Sequence, residues 1–441
     1  EARFLRAWYY FTLLKHYGGM PIVGDTIFDY TDKLPAKRAT FRATVNYIVS
    51  ECDAAATVLP YQQAGPQYGR VSGGACAALK SRVLLYAASK LFNGTTLATG
   101  ELGSIVGYPN DSLGRWGMAR DAALAVMNTG QYSLNVDNSK PGKGFQDLFP
   151  KRINSEYILN LMFENNTYIE NLFFPPSRDG RNGSFPYQGL VDAFPMANGK
   201  SITDPTSGYD ATKPYNNRDP RLAFSVIRDS SLVLFRTPNG LAQTATPISI
   251  FVRPDGTSSG QDAFPTGTRT GYYNFKMADP AAVPSTFFAL SSRCIPLIRY
   301  AEILLNYAEA QNEFNGGPDQ SVYDALFKIR DRAGIAKGNG SYGLKVPMSQ
   351  TEMRDAIRNE RRIELAFEEQ RFWDVRRWMI ADQTDNIEAK GMKVTRANQA
   401  AAPTYEIVTI KRHNFRKAMY LWPLPQKEID KSAQLLQNPG Y

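Results

Sequence analysis

Hydrophobic positions recur every three to four residues over two long stretches of this chain and lose that rhythm in the stretch between them. Over residues 2–17, Phe4, Ala7 with Trp8, Phe11 and Leu14 share one side, and Gly18-Gly19 followed by Pro21 ends the run, so the spacing predicts a helix. The spacing returns over 41–58 (Val45, Ile48 with Val49, Cys52, Ala55 with Ala56), 73–92 (Cys76, Leu79, Val83, Tyr86, Ala87) and 116–129 (Trp116, Ala119, Ala123, Val126, Met127). Small residues alternate with large ones on these faces, as close packing of consecutive helical hairpins requires. Helices are expected again over 296–314, 319–334 and 350–380, followed by a β-hairpin at roughly 392–412 and a short helix over 426–433.

From 136 to 293, Gly, Pro, Asn, Asp and Ser punctuate short runs such as Tyr157-Ile158-Leu159-Asn160-Leu161 and Pro247-Ile248-Ser249-Ile250-Phe251-Val252. Loops, short strands and a few helical turns are expected there, and long irregular stretches in a compact protein usually serve function. The chain divides into three parts, a helical block (1–135), an irregular segment (136–293) and further helices with a tail (294–441), and its length suits one large domain or two to three ordinary ones.

With 441 residues and 43% hydrophobic content, the chain can bury a substantial core. No apolar run reaches the ~18 residues a membrane-spanning helix needs, so a membrane link would require a lipid anchor or a partner. The net charge of +9 is spread along the chain and interleaved with acids, as in Glu360-Arg361-Arg362-Ile363-Glu364. That is a mixed solvated surface rather than a nucleic-acid footprint. Cys52, Cys76 and Cys294 are too scattered for a zinc site or a disulfide framework and read as small buried hydrophobes.

Catalytic motifs are scarce. The two histidines, His16 and His413, lie far apart, and no HExxH, GxSxG or complete P-loop occurs; Gly199-Lys200-Ser201 has Phe194 where the phosphate cradle needs glycine. Asp179-Gly180-Arg181-Asn182 lacks the spaced carboxylates of a calcium loop and reads as a turn, so neither metal nor cofactor is expected. The densest acids, Glu360, Glu364, Glu368 and Asp374, alternate with Arg361, Arg362, Arg371, Arg376 and Arg377. On one continuous helix, Arg361, Glu364, Glu368 and Arg371 would share a face, which suits an ion network between helices better than an acid/base pair. Two acids distant in sequence would leave no motif, so its absence is weak evidence against a glycoside hydrolase.

Aromatic residues make up 12% of the chain. Trp8, Trp116, Trp373, Trp378 and Trp422 are assigned to helix packing and framework. By contrast, Tyr168, Phe173, Phe174, Tyr187, Tyr209, Tyr215, Phe264, Tyr272 and Tyr273 stand among polar residues with no periodic face to bury them. A sugar ring offers an apolar face rimmed by hydroxyls, so a good site places a flat aromatic beside amides or charged groups. Residues 164–188 contain both kinds: Tyr168, Phe173, Phe174 and Tyr187 with Asn165, Asn166, Arg178, Asp179, Arg181 and Asn182. Each of these aromatics reads at least as readily as a buried loop anchor.

Several strings, in family order over nearly the whole chain, resemble the SusD/RagB-like family of Bacteroidota. They include Leu5-Arg6-Ala7-Trp8-Tyr9-Tyr10-Phe11 through Tyr17-Gly18-Gly19-Met20-Pro21, Ala77-Ala78-Leu79-Lys80-Ser81-Arg82-Val83 and Asn217-Arg218-Asp219-Pro220-Arg221-Leu222. The most specific are Ile295-Pro296-Leu297-Ile298-Arg299-Tyr300-Ala301-Glu302, Arg371-Phe372-Trp373-Asp374-Val375-Arg376-Arg377-Trp378, Leu421-Trp422-Pro423-Leu424-Pro425 and Gln437-Asn438-Pro439-Gly440-Tyr441. The resemblance implies a single domain over 1–441 with a mostly α fold: tetratricopeptide-like helical hairpins as scaffold (1–135), a long irregular middle segment forming the ligand face (136–293), and further scaffold with a small C-terminal β-hairpin and closing tail (294–441). It implies non-catalytic binding of oligo- or polysaccharide at the cell surface and delivery to a SusC-like TonB-dependent transporter in the outer membrane. Family members usually begin with a lipoprotein signal, a lipidated cysteine and further helices, which are expected upstream of Glu1. In relatives the region of 164–188 contributes to the glycan face, a correspondence by region only. A peptide-binding lipoprotein of RagB type and, behind it, a helical-barrel glycoside hydrolase are the alternatives. The basic balance mildly favours acidic glycans.

Overall fold

A computed structural model describes residues 1–32, 35–237, 240–241, 244–282, 291–432 and 434–441. Helices α1 (Ala2–Tyr17), α2 (Phe41–Ala56), α3 (Gly73–Ala88) and α4 (Leu113–Asn128) form where the periodicity puts them. Thr40 and Ser72 cap α2 and α3 by accepting from the amides of Ala43 and Ala75. The small residues on α3 admit close neighbours: a Cβ on Gly74 would stand 2.2 Å from the Tyr132 hydroxyl.

The second helical block comprises α5 (Tyr300–Phe314), α6 (Gln320–Arg332), α7 (Gln350–Glu364) and α8 (Gln370–Arg377). Helix α5 is the hub, packing against α3, α4, α6 and α7. One continuous core runs through both blocks, from Phe4 and Phe11 through Leu79 and Val83 to Leu304, Leu326 and Ile357. Cys52, Cys76 and Cys294 are buried and unpaired, the small hydrophobes expected.

Two helix expectations need correction. Residues 294–299 are not helical but form a strand, β2 (Cys294–Arg299), antiparallel to β1 (Tyr157–Met162). The partner lies far upstream, and burial along β2 largely alternates as a strand requires. The expected 350–380 helix is broken after Glu364, where Phe367 and Glu369 both take φ of 61°. Glu368 thus lies in the connecting turn, and Arg361, Glu364, Glu368 and Arg371 do not share one helix face. Near the C-terminus, β3 (Glu388–Thr395) pairs with β4 (Thr404–Arg412) as the expected hairpin. The final short helix is Gln426–Ile429, and residue 433, at the end of the expected span, lies outside the described residues.

The middle segment contains short helices, Lys143–Leu148, Gln188–Ala193 and Pro220–Ser225 among them, and two-residue strand pairs. It builds small cores, one around Phe145, Leu148, Tyr157, Ile248 and Tyr273, and another in which Val191, Phe194, Leu222 and Tyr272 meet Ile363 of α7 and Met392 and Val394 of β3. Tyr272 and Tyr273 are both 0% exposed, so the polar neighbours that suggested a solvent-facing role misplace them. Of the 247–252 run, only Pro247 pairs within a short strand, while Ile248, Ile250 and Phe251 are buried.

A buried ion network fastens this segment to the scaffold. Arg299 on β2 donates to Glu156 at 2.6 Å, to Glu364 at 2.7 Å and to Glu368 at 2.7 and 2.8 Å. Arg332 on α6 bonds Glu156 and Glu364, and Arg221 reaches Asp219, Glu360 and Glu364. Lys276 donates to Glu368 at 2.6 Å and to the Glu364 carbonyl at 2.7 Å. Charges buried so completely are tolerable only when each finds partners of opposite sign and its remaining hydrogen bonds.

Candidate functional site

Residues 164–188 are pinned at their base and open at their edge. Buried Glu170 accepts from Arg293 at 2.6 and 2.7 Å and from the Asp279 amide at 2.7 Å. This holds the short helix Tyr168–Phe173 with Ile169 and Glu170 inward. Asn166 Oδ1 accepts from the Tyr168 amide at 2.8 Å, its Nδ2 donates to the Glu164 carbonyl at 2.7 Å, and its backbone bridges Ser291. Tyr168 consequently faces solvent at 56% exposure, its ring 6.5 Å from that of Phe163 with planes 12° apart. Asn165 is exposed and Asn166 half-buried next to this pair.

The chain then folds back on itself. Amides of Arg181, Asn182 and Gly183 donate to the carbonyls of Asn171, Phe174 and Leu172 at 2.8, 3.2 and 2.7 Å. Gly180 makes the approach possible, since a Cβ there would stand 2.0 Å from the Phe174 carbonyl oxygen. Phe174, 1% exposed, belongs to the segment's own core. Arg178, 6% exposed, donates to the Val233 and Thr246 carbonyls at 3.2 and 3.0 Å and to Thr246 Oγ1 at 2.8 Å; burial pushes its pKa down. Burial removes these two from the face that was expected to include them. Phe173 is half-buried against the same core, Asp179 and Arg181 are exposed at the turn, and Asn182 donates to the Gly267 carbonyl at 2.7 Å. Tyr187 stands against the C-terminal hairpin instead, edge-on to His413 at 5.7 Å with Lys411 at 5.9 Å.

A cleft of about 260 Å³, unanticipated from the sequence, opens between residues 62–72 and β1. Tyr68, Tyr132 and Tyr157 line it together with Gln62, Gln63, Asn154 and Asn160. Its β1 wall runs on through Met162 to Phe163, where the exposed aromatic pair begins. The amides and tyrosines of 61–68 were a local signal for it, but the opposite wall comes from the middle segment, which spacing could not bring there. Hydroxyl and amide groups beside aromatic faces can hydrogen-bond and stack on a polyhydroxylated solute.

The buried acids of the helical scaffold have different chemistry. Burial alone would raise Glu309, but the Arg377 guanidinium holds its carboxyl at about 2. Burial likewise opposes Arg332, Arg299 and Arg221 at Glu364, and the arginines hold that carboxyl well below the usual range. A general acid needs the opposite shift.

Helical hairpins around a central helix, with an irregular segment exposing rings and amides, define a tetratricopeptide-like scaffold class. The chain belongs to the SusD family, whose signature matches residues 166–441, while a second signature, described as starch-binding associating with outer membrane, matches residues 1–85. SusD-like protein P2 of Formosa agariphila is 31% identical over 153 residues, covering 34% of this chain and 26% of that relative's length. A SusD-like protein from Bacteroides fragilis is 27% identical with a TM-score of 0.77, over 100% of this chain and 78% of that one. Surface glycan-binding protein A from Bacteroides fluxus shares the fold at 20% identity and a TM-score of 0.57, over 100% of this chain and 77% of its own.

Proposed function

We propose that this protein captures oligo- or polysaccharide at the outer face of the outer membrane and passes it, uncleaved, to a SusC-like TonB-dependent transporter. The observation that carries the reading is the solvent-facing Tyr168, stacked on Phe163 and flanked by Asn165 and Asn166, in a SusD-family chain. Tyr168 offers an apolar plane to a sugar face while the amides reach its hydroxyls. Phe173, Asp179, Arg181 and Asn182 would extend that surface along the turn, with Tyr187 as a separate contact beside the hairpin.

Several observations favour binding over hydrolysis and a membrane setting. Buried scaffold acids are ion-paired with arginines that hold Glu364 and Glu309 low, which suits structure better than proton donation. No described helix is long and apolar enough to cross a membrane; a lipid anchor is what the family resemblance implies for attachment. The matched signature described as associating with outer membrane supports that location. The RagB-type alternative, peptide capture, is favoured by the outer edge of β4, which no other described strand covers and which could accept an added strand.

A panel of neutral and acidic polysaccharides and of oligopeptides, read by affinity gel and calorimetry with an assay for released reducing ends, tests the reading. Saturable binding with no released sugar is expected. Released reducing ends would establish a hydrolase, and binding of peptides but of no glycan would establish the alternative.

A further inference from the structure

A second cleft, of about 320 Å³, opens on the helical scaffold away from the middle segment, where the ends of α3, α4 and α5 meet α7 and Trp378. Its volume falls in the ~300–1,000 Å³ range of small-ligand clefts. Two of its acids are already committed. Glu313 is held by Arg354 through two bonds of 2.6 Å, and Glu309 by Arg377 and by the Trp378 indole at 2.7 Å. That leaves the cations Arg358 and Lys90 facing the single remaining carboxylate, Asp111.

Half-buried Arg358 lacks the carboxylate partner that six of the buried arginines have. Arg221, Arg293, Arg299, Arg330, Arg332 and Arg377 each hold a carboxylate. Arg358 Nε has no hydrogen-bond partner, and among the described residues no carboxylate lies within ion-pair distance of its guanidinium. Its neighbour is the Trp378 ring, 4.8 Å from the guanidinium carbon. Burial pushes its pKa down, helped by Arg377 and Arg354 and opposed by the Glu309 and Asp355 carboxylates. On the other wall, half-buried Trp116 supplies an aromatic surface.

We propose that this cleft binds an acidic sugar residue, its carboxylate or sulfate received by the Arg358 guanidinium and its ring lying against Trp116. A guanidinium presents a planar fork that matches both anions. Exposed Lys90 adds long-range attraction at the mouth. The inference rests on the glycan-binding reading and adds a second subsite that selects for charge, distinct from the ring and amide face around Tyr168.

Calorimetry on the full-length protein with three probes of equal length decides it: an oligogalacturonate, a sulfated oligosaccharide and a neutral oligosaccharide. Arg358→Gln should weaken at least one anionic probe tenfold or more, the loss expected for a charge-assisted hydrogen bond, and leave the neutral probe and the Tm unchanged. Lys90→Gln, which cannot disturb packing, should give a smaller loss confined to anionic probes. The two anionic arms tell carboxylate from sulfate. Anionic and neutral probes binding wild type equally, or anionic binding untouched by Arg358→Gln, would overturn the subsite while leaving glycan capture standing. Failure of all three probes to bind wild type would overturn both.

Discussion

Tyr168 and Phe174 stand in the same short segment, with similar neighbours in sequence, and have opposite fates. Tyr168 is 56% exposed while Phe174 is 1% exposed, because bonds from Glu170 and Asn166 set the helix and Gly180 lets the chain fold over its end. Tyr168→Ala should therefore lower glycan affinity by about 2- to 10-fold, the worth of one stacking contact of ~0.5–1.5 kcal/mol, with an unchanged Tm. Phe174→Ala should cost about 3–5 kcal/mol in denaturant unfolding and lower binding only through lost fold. Composition identified 164–188 as rich in rings and polar groups, but it could not sort them. What buries Arg178 is Val233 and Thr246, and what ties Asn182 is Gly267, all distant in sequence.

Helices were legible because their signal is local: a face repeated every turn, a capping serine or threonine, a glycine stop. The break between α7 and α8 was not, since neither Phe367 nor Glu369 is a glycine, although both adopt the left-handed backbone. The turn places Glu368 against Arg299 and Lys276, so tertiary pairing decides where the helix stops. Strand β2 was hidden for a related reason, as its partner β1 lies in another part of the chain. Arg299→Met should destabilise the protein by about 3–5 kcal/mol, because Glu156, Glu364 and Glu368 would each lose a buried partner. Hydrogen exchange should then show the amides of β1 and β2 losing protection before those of α2, an order that uniform destabilisation would not produce.

Across the whole molecule, buried ion pairs join helix to helix within the scaffold and the middle segment to the scaffold, and these pairs carry a pH dependence. The Glu309, Glu364 and Glu368 carboxyls are held below their ordinary 4.5 in the folded state, Glu309 at about 2. The stability they contribute is complete above the unfolded value and is lost as pH falls through the folded values. Thermal unfolding should accordingly be flat near neutrality and fall steeply between pH 4.5 and about 2. A Glu309→Gln variant should melt lower at pH 7 and show a shallower fall across that window. At this scale the sequence revealed the mostly helical class. The clamps that join them, such as Glu156 with Arg332 or Arg221 with Glu360, link positions too far apart for spacing to indicate.

The three buried cysteines leave this surface chemically quiet. Burial raises all three thiols, Cys76 to about 11, so they stay protonated and shielded from alkylating reagents while the fold holds. A single cysteine introduced at exposed Glu164 would be the one reactive thiol among the described residues. A fluorophore placed there would report ligand arrival next to Tyr168 without any need to strip the native cysteines, and delayed labelling of Cys52, Cys76 and Cys294 would time the opening of the core.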